Sequence, residues 1–139
     1  GSIGIYINDL ADKVVGVEYV ESAVQDAYEN CKLNGLNHLS FYAGNLKNIL
    51  NPEFVAREGR PDVIVTDPPR AGMDEPVVQQ LLEIASPRIV YVSCNPATQA
   101  RDLQLLSAKY DVLITQPVDM FPQTSHVENV ALLELRAGI

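Results

Sequence analysis

Apolar runs alternate with helical stripes along this chain, and the alternation predicts an α/β fold. The expected architecture is a mostly parallel, doubly wound sheet closed by an antiparallel C-terminal hairpin. Three observations carry this prediction. Short runs rich in valine and isoleucine, VVGVE at 14–18, DVIVT at 62–66 and RIVYV at 88–92, each give way to a helical segment. The last two runs, 110–116 and 127–135, have only a loop between them, so they pair antiparallel. No repeat, low-complexity tract or internal linker interrupts the series, so residues 1–139 read as one domain.

The elements follow in order. VVGVE is a short apolar run ending in an acid. Over 20–34, Val20, Ala23, Val24, Ala27, Tyr28 and Cys31 fall on one helical stripe, and Asn34-Gly35 stops it. Leu39 to Ala43 is the next strand. A helix over 46–57 is interrupted near Asn51-Pro52. DVIVT is almost continuously apolar, the pattern of a strand buried on both faces, and Pro68-Pro69 ends it. Helices are expected over 75–85 and 96–108, flanking the strand at 88–92, with Asn95-Pro96 as the start signal of the second.

The beginning is different. A sheet of this type opens with a strand, a glycine-rich turn and a helix. Here Gly1-Ser2-Ile3-Gly4 already reads as the end of such a turn. Either Gly1-Ser2 is a remnant of cloning, or the chain begins just after the first strand, which is then missing together with most of the turn. Ile3 to Ile7 acting as a strand, or a second copy completing the sheet as a homo-oligomer, would each fill the gap.

Composition narrows the function. The 47% apolar content supports a real core, and no apolar stretch reaches membrane-spanning length. Two cysteines far apart, with no metal-ligand spacing, make neither a disulfide framework nor a zinc site, so a cytoplasmic protein is expected. Ten basic residues against eighteen acidic ones give a net charge of −8, which argues against this domain alone gripping a phosphate backbone.

Open α/β sheets bind ligands at the carboxyl ends of their strands, and four candidates fall there. Glu18 closes VVGVE, where an acid can accept hydrogen bonds from ribose hydroxyls; a solvated acid before a helix is the plainer reading. Asp67 closes DVIVT within Asp-Pro-Pro-Arg-Ala-Gly, and Pro68 and Pro69 fix the turn that aims its carboxylate. Cys94 ends the run Tyr-Val-Ser-Cys beside helix amides that favour a thiolate; a small core residue is the common alternative. Glu128 opens an otherwise apolar strand, as a rim residue or a base. His126 lacks metal partners, and Cys31 lies on a core stripe.

DPPRAG (67–72), YVSCNPATQARDL (91–103) and DMFPQTSHVENVALL (119–133), in this order, resemble the RNA uracil-5-methyltransferase family. The likeness extends through VVGVEYVESAVQDAYENCKLNG (14–35) and covers nearly the whole chain. It implies a Rossmann-like class I methyltransferase domain, C-terminal in longer enzymes, that uses S-adenosylmethionine. It places Cys94 on the family's nucleophile and Glu128 on its general base. Glu18 falls on the acid that holds the cofactor ribose and Asp67 on a cofactor-site aspartate. Asn45 falls where the family often carries an acid near the adenine. Upstream RNA-binding domains, and the iron–sulfur cysteines of many members, have no counterpart here. Those domains would carry the basic surface that this acidic chain lacks.

The resemblance implies methylation of carbon 5 of a uridine in RNA, giving 5-methyluridine through a covalent cysteine–uracil adduct. Asp67, Pro68 and Pro69 would line the wall between cofactor and base. The resemblance favours 23S ribosomal RNA, and hence rRNA processing, over transfer RNA. Three other readings are open to the same residues. In amino-methyltransferases with a DPP-aromatic motif, Arg70 would have to stand at the aromatic position. A cysteine hydrolase would need His38 or His126 near the thiol. The isolated chain also reads as a folded but catalytically silent domain.

Overall fold

The computed structural model describes residues 1–138 and divides into two compact units, Gly1–Glu58 and Gly59–Ile139.

The first unit holds helix α1 (Ser2–Tyr6), a 3-10 turn (Asn8–Leu10), β1 (Val14–Glu18), α2 (Glu21–Leu33), β2 (Leu39–Ala43), α3 (Leu46–Ile49) and α4 (Pro52–Glu58). β1 and β2 pair in parallel, from Val14 opposite Leu39 to Glu18 opposite Ala43. The predicted stripe of α2 supplies Val24, Ala27 and Cys31 to a core with Val14, Leu39 and Phe41. Tyr28, on the same helix, both donates to the Phe41 carbonyl and accepts from the Phe41 amide, each at 2.9 Å. Its ring meets that of Phe41 edge to face, centroids 5.6 Å apart.

The stop of α2 is a Schellman turn. Leu36 N–H bonds the Cys31 carbonyl at 2.9 Å, Gly35 N–H bonds that of Lys32 at 3.2 Å, and Gly35 takes φ +68°. Leu36 then packs on the core. The expected interruption near Asn51-Pro52 divides α3 from α4: Asn51 accepts from Phe54 N–H at 2.8 Å and Pro52 takes the first helical position. The opening segment is a correction. Ile3 to Ile7 does not form a strand; Ser2–Tyr6 is helical, its turn closed by Ile5 N–H on the Gly1 carbonyl at 3.0 Å.

The second unit holds β3 (Val63–Thr66), α5 (Glu75–Ile84), β4 (Arg88–Ser93), α6 (Pro96–Leu106), β5 (Tyr110–Val118) and β6 (Glu128–Leu135). Its four strands lie in the order β3-β4-β6-β5. β3 and β4 are parallel, whereas β6 runs antiparallel to β4 and to β5. The predicted hairpin is therefore present, with an irregularity between Val112 and Ile114. α5 buries Val77, Val78, Leu81 and Leu82. Ile89, Tyr91, Leu106, Tyr110, Ala131 and Leu133 are sealed in the core.

β3 departs from expectation. It is the outer strand of its sheet, and Val63 (49%) and Val65 (37%) are exposed rather than buried on both faces. A continuous apolar run reports hydrophobicity but not the number of neighbours that a strand acquires. No helix among the described residues is long and apolar enough to cross a membrane.

Candidate functional site

The second unit gathers three of the predicted residues at one end of its strands. β4 and β6 pair as Val92 with Val130 and Ser93 with Asn129. One further step of this antiparallel register sets Cys94 level with Glu128. Thr66 pairs with Tyr91, so Asp67 leaves β3 at the level of Val92. Cys94 and Glu128 are both half-buried, and Cys94 is a free thiol. Partial desolvation raises the Asp67 carboxyl above the ordinary range.

Local chemistry fixes the turn that follows Cys94. Ser93 Oγ accepts from Asn95 N–H at 3.0 Å, and the Asn95 side chain caps α6 by accepting from Ala97 N–H at 3.2 Å. Pro96 then begins the helix, so the nucleophile candidate sits immediately before a capped N-terminus.

The second half of the loop 67–73 is fastened to Asn95 and α6 through Arg70, Ala71 and Met73. The Arg70 carbonyl accepts from Asn95 Nδ2 at 3.2 Å and from Thr98 Oγ1 at 2.9 Å. Gly72 N–H closes a turn on the Pro69 carbonyl at 2.8 Å. Arg101 Nη2 donates to the carbonyls of Ala71 and Met73. Asp102, fully buried, accepts from Met73 N–H at 2.8 Å and from Tyr91 Oη at 2.7 Å, and pairs with Arg101 at 2.7 Å. Burial, followed by the bond to Asp102, raises the Tyr91 phenol well above its usual range, so it remains a donor.

Gln99 provides a third tie. It is 1% exposed and joins Tyr91 of β4 to Asn129 of β6. Arg70 itself is exposed, with Nη1 3.1 Å from His126 Nδ1, so the loop before β6 meets the DPPR turn.

In the first unit, Glu18 and Asn45 share the carboxyl end of the β1–β2 pair. Glu18 stands opposite Ala43, and its carbonyl accepts from Gly44 N–H at 2.9 Å. Its carboxylate uses Oε1 to accept from Val20 N–H at 3.2 Å. Asn45 Oδ1 caps α3 through Lys47 N–H at 3.2 Å, which leaves its amide nitrogen as a donor. A carboxylate acceptor and an amide donor are the groups needed to meet a ribose diol and a purine ring nitrogen. These residues therefore fit the nucleoside of the expected cofactor.

A concavity of about 900 Å³ in the second unit lies away from these groups, at the other end of the strands. Four of its charged residues form pairs, Arg88 with Glu134 at 3.5 Å and Arg136 with Asp111 at 3.0 Å. The residues that the sequence reading passed over are Tyr91, Gln99, Arg101 and Asp102. A signal was present: Gln99, Asp102 and Leu106 form the buried stripe of α6, and two polar residues on a core stripe announce a hydrogen-bonding task. No cluster able to hold a metal ion occurs among the described residues.

A family model described as tRNA (Uracil-5-)-methyltransferase matches residues 1–136. An uncharacterized RNA methyltransferase of Bacteroides thetaiotaomicron is 57% identical over 136 residues, which is 98% of this chain and 30% of the relative. One from Porphyromonas gingivalis is 55% identical over 135 residues, covering 96% and 29%. The chain thus spans about 30% of the length of the curated relatives it matches. Among solved structures, the Pyrococcus abyssi tRNA (uracil-54, C5)-methyltransferase in complex with S-adenosyl-L-homocysteine superposes with a TM-score of 0.82 at 35% identity. That match covers 96% of this chain and 31% of the other. The N-methyltransferase NodS from Bradyrhizobium japonicum, also with S-adenosyl-L-homocysteine, gives 0.73 at 13% identity over 95% and 72% of the two chains. That is a likeness of fold alone. The fold is the Rossmann-like one of these methyltransferases.

Proposed function

Because the chain belongs to the tRNA (uracil-5-)-methyltransferase family, we propose that it is the catalytic part of an enzyme that methylates carbon 5 of a uridine in RNA. The observation that supports this reading is the β4–β6 pairing, whose last pair, Ser93 with Asn129, lies next to Cys94 and Glu128 at the strand ends where Asp67 emerges.

Carbon 5 of uracil is a weak nucleophile. Addition of the Cys94 thiolate to carbon 6 breaks the ring double bond and leaves an enolate with its charge available at carbon 5. Glu18 and Asn45 would hold S-adenosylmethionine, which would supply the methyl group that carbon 5 accepts, its sulfonium leaving as the neutral thioether. Glu128 then takes the proton from carbon 5. The freed electron pair restores the double bond and expels the Cys94 thiolate. Asp67 and the Pro68-Pro69 turn form the wall along which the base lies, and the attachment of Arg70, Ala71 and Met73 to Asn95 and α6 holds the segment that follows it. The target base must leave its stack to reach the thiol, so a single-stranded or flipped uridine is the substrate.

The test uses the full polypeptide that carries this chain. With Glu128→Gln, a covalent methylated RNA–protein complex is expected to persist on a denaturing gel. With Cys94→Ala, neither complex nor product is expected. Free product at the wild-type rate from either variant removes that residue's role. Ribosomal RNA is the first substrate proposed. Transfer RNA is the second, favoured by the tRNA specificity in the name of the Pyrococcus neighbour. Mapping 5-methyluridine in both RNAs from cells lacking the polypeptide separates them.

A further inference from the structure

Gln99 is buried beside the candidate site, yet the proposed chemistry gives it no task. Its Nε2 donates to the Tyr91 carbonyl at 2.9 Å and to the Asn129 carbonyl at 3.3 Å. Its Oε1 accepts from Asn129 Nδ2 at 2.6 Å. One carboxamide therefore bridges β4 and β6 and grips both the backbone and the side chain of Asn129, the residue after Glu128.

The amide reaches across two strands. Asn129 pairs with Ser93 of β4, and Gln99 adds contacts to both the carbonyl and the side chain of Asn129. The connection is also closed. Cys94 leads through Asn95 into α6, α6 carries Gln99, and Gln99 holds Asn129 next to Glu128. Glu128 also pairs with Val118 of β5, after which the exposed loop 119–127 begins.

Resting on the uracil-5-methyltransferase reading, we infer that Gln99 is a positioning residue that fixes the Glu128 carboxylate relative to the Cys94 sulfur through Asn129. Its influence falls on proton removal and thiolate release, the steps that need Glu128. It does not fall on thiolate addition, which needs Cys94 alone. A misplacement near an ångström at such a base slows its step severely.

The experiment compares Gln99→Leu and Gln99→Glu with the parent polypeptide, using RNA tritiated at carbon 5 of uridine. Adduct formation, tritium release and the hydrogen isotope effect on release are measured. In Gln99→Leu, adduct formation stays near wild type while release slows about tenfold or more, so adduct accumulates and the isotope effect grows. Gln99→Glu retains an acceptor for Asn129 Nδ2 but loses both donations when ionised. Its release rate, relative to wild type at the same pH, recovers as the pH falls and the acid gains a proton to donate.

Unchanged release in a folded Gln99→Leu variant overturns the inference, as does an equal fall in formation and release. If Gln99→Leu does not fold, the relative pH profile of Gln99→Glu decides: recovery in acid supports the role, and a flat ratio rejects it. Absence of adduct and tritium release in the wild type and in Glu128→Gln defeats the methyltransferase reading itself, and the positioning role with it.

Discussion

The phenol of Tyr91 donates to the buried carboxylate of Asp102 at 2.7 Å, joining the middle of β4 to the inner face of α6. The same carboxylate receives Met73 N–H, where loop 67–73 ends, and the Arg101 guanidinium. One side chain thus ties together the strand that leads to Cys94, the helix that follows it and the DPPR turn. Asp102→Ala leaves Met73 N–H and Tyr91 Oη without an acceptor and is expected to cost about 3 kcal/mol, at the lower end for a broken buried pair because Arg101 keeps the Ala71 and Met73 carbonyls. Tyr91→Phe removes one donor from a carboxylate that keeps the others and costs about 1 kcal/mol. Urea denaturation checks the order; equal effects would deny Asp102 its central position.

Gly72 makes this closeness possible. Its φ is +82°, and a Cβ there would lie 2.7 Å from both Arg101 Nη2 and Asp102 Oδ2. Gly72→Ala therefore combines backbone strain with a clash against a pinned ion pair, and costs more than about 1 kcal/mol. A Gly35→Ala variant is the control. It is strained at φ +68° but meets nothing within 4 Å, so it should lose less. Thermal unfolding of the two variants separates the contributions.

Much of this was legible beforehand, for identifiable reasons. The α2 stripe and its Asn34-Gly35 stop appear where the periodicity sets them, because helix burial and C-capping depend on residues close in sequence. The same holds for Asn95-Pro96 at the start of α6. The exposure of Val63 and Val65 was not legible, since strand order is decided by residues far away along the chain. The opening left a strand at Ile3 to Ile7 and a completing second copy as alternatives, and the helix at Ser2–Tyr6 excludes the first, because so short a span carries no decisive periodicity. Cys94, Glu128 and Asp67 were marked by their places at predicted strand ends. The polar ties of α6 were hidden inside the motif that displays Cys94, since a spacing does not say which carbonyl a glutamine will reach.

Glu18 gives a binding prediction independent of the thiol chemistry. Its Oε1 is committed to Val20 N–H, which orients the carboxylate and leaves the other oxygen for a ribose hydroxyl. Glu18→Ala removes a charged acceptor and is expected to weaken S-adenosylmethionine binding tenfold or more, by about 1.5–3 kcal/mol. Calorimetry on the full polypeptide reads this directly. Cys94→Ala should bind the cofactor as the wild type does, and unchanged affinity in Glu18→Ala would remove its assignment.

Glu58 predicts how the first unit responds to acid. Its carboxylate accepts from Tyr42 Oη at 2.6 Å and pairs with Arg57 at 2.9 Å and Lys13 at 3.0 Å. These bonds, that of Tyr42 foremost, hold its pKa down at about 2. A carboxyl depressed in the folded state stabilises the fold at every pH above its unfolded value, near 4.3. That contribution declines as the pH falls from there towards about 2, where the folded group itself takes up a proton. Glu58→Gln should therefore be less stable than the wild type at pH 7, and the two should converge across the acid window. Urea midpoints from pH 7 down to the acid limit of folding test the sign. A gap that stays constant would mean that packing of Glu58 against its neighbours, rather than its charge, holds α4 to β2.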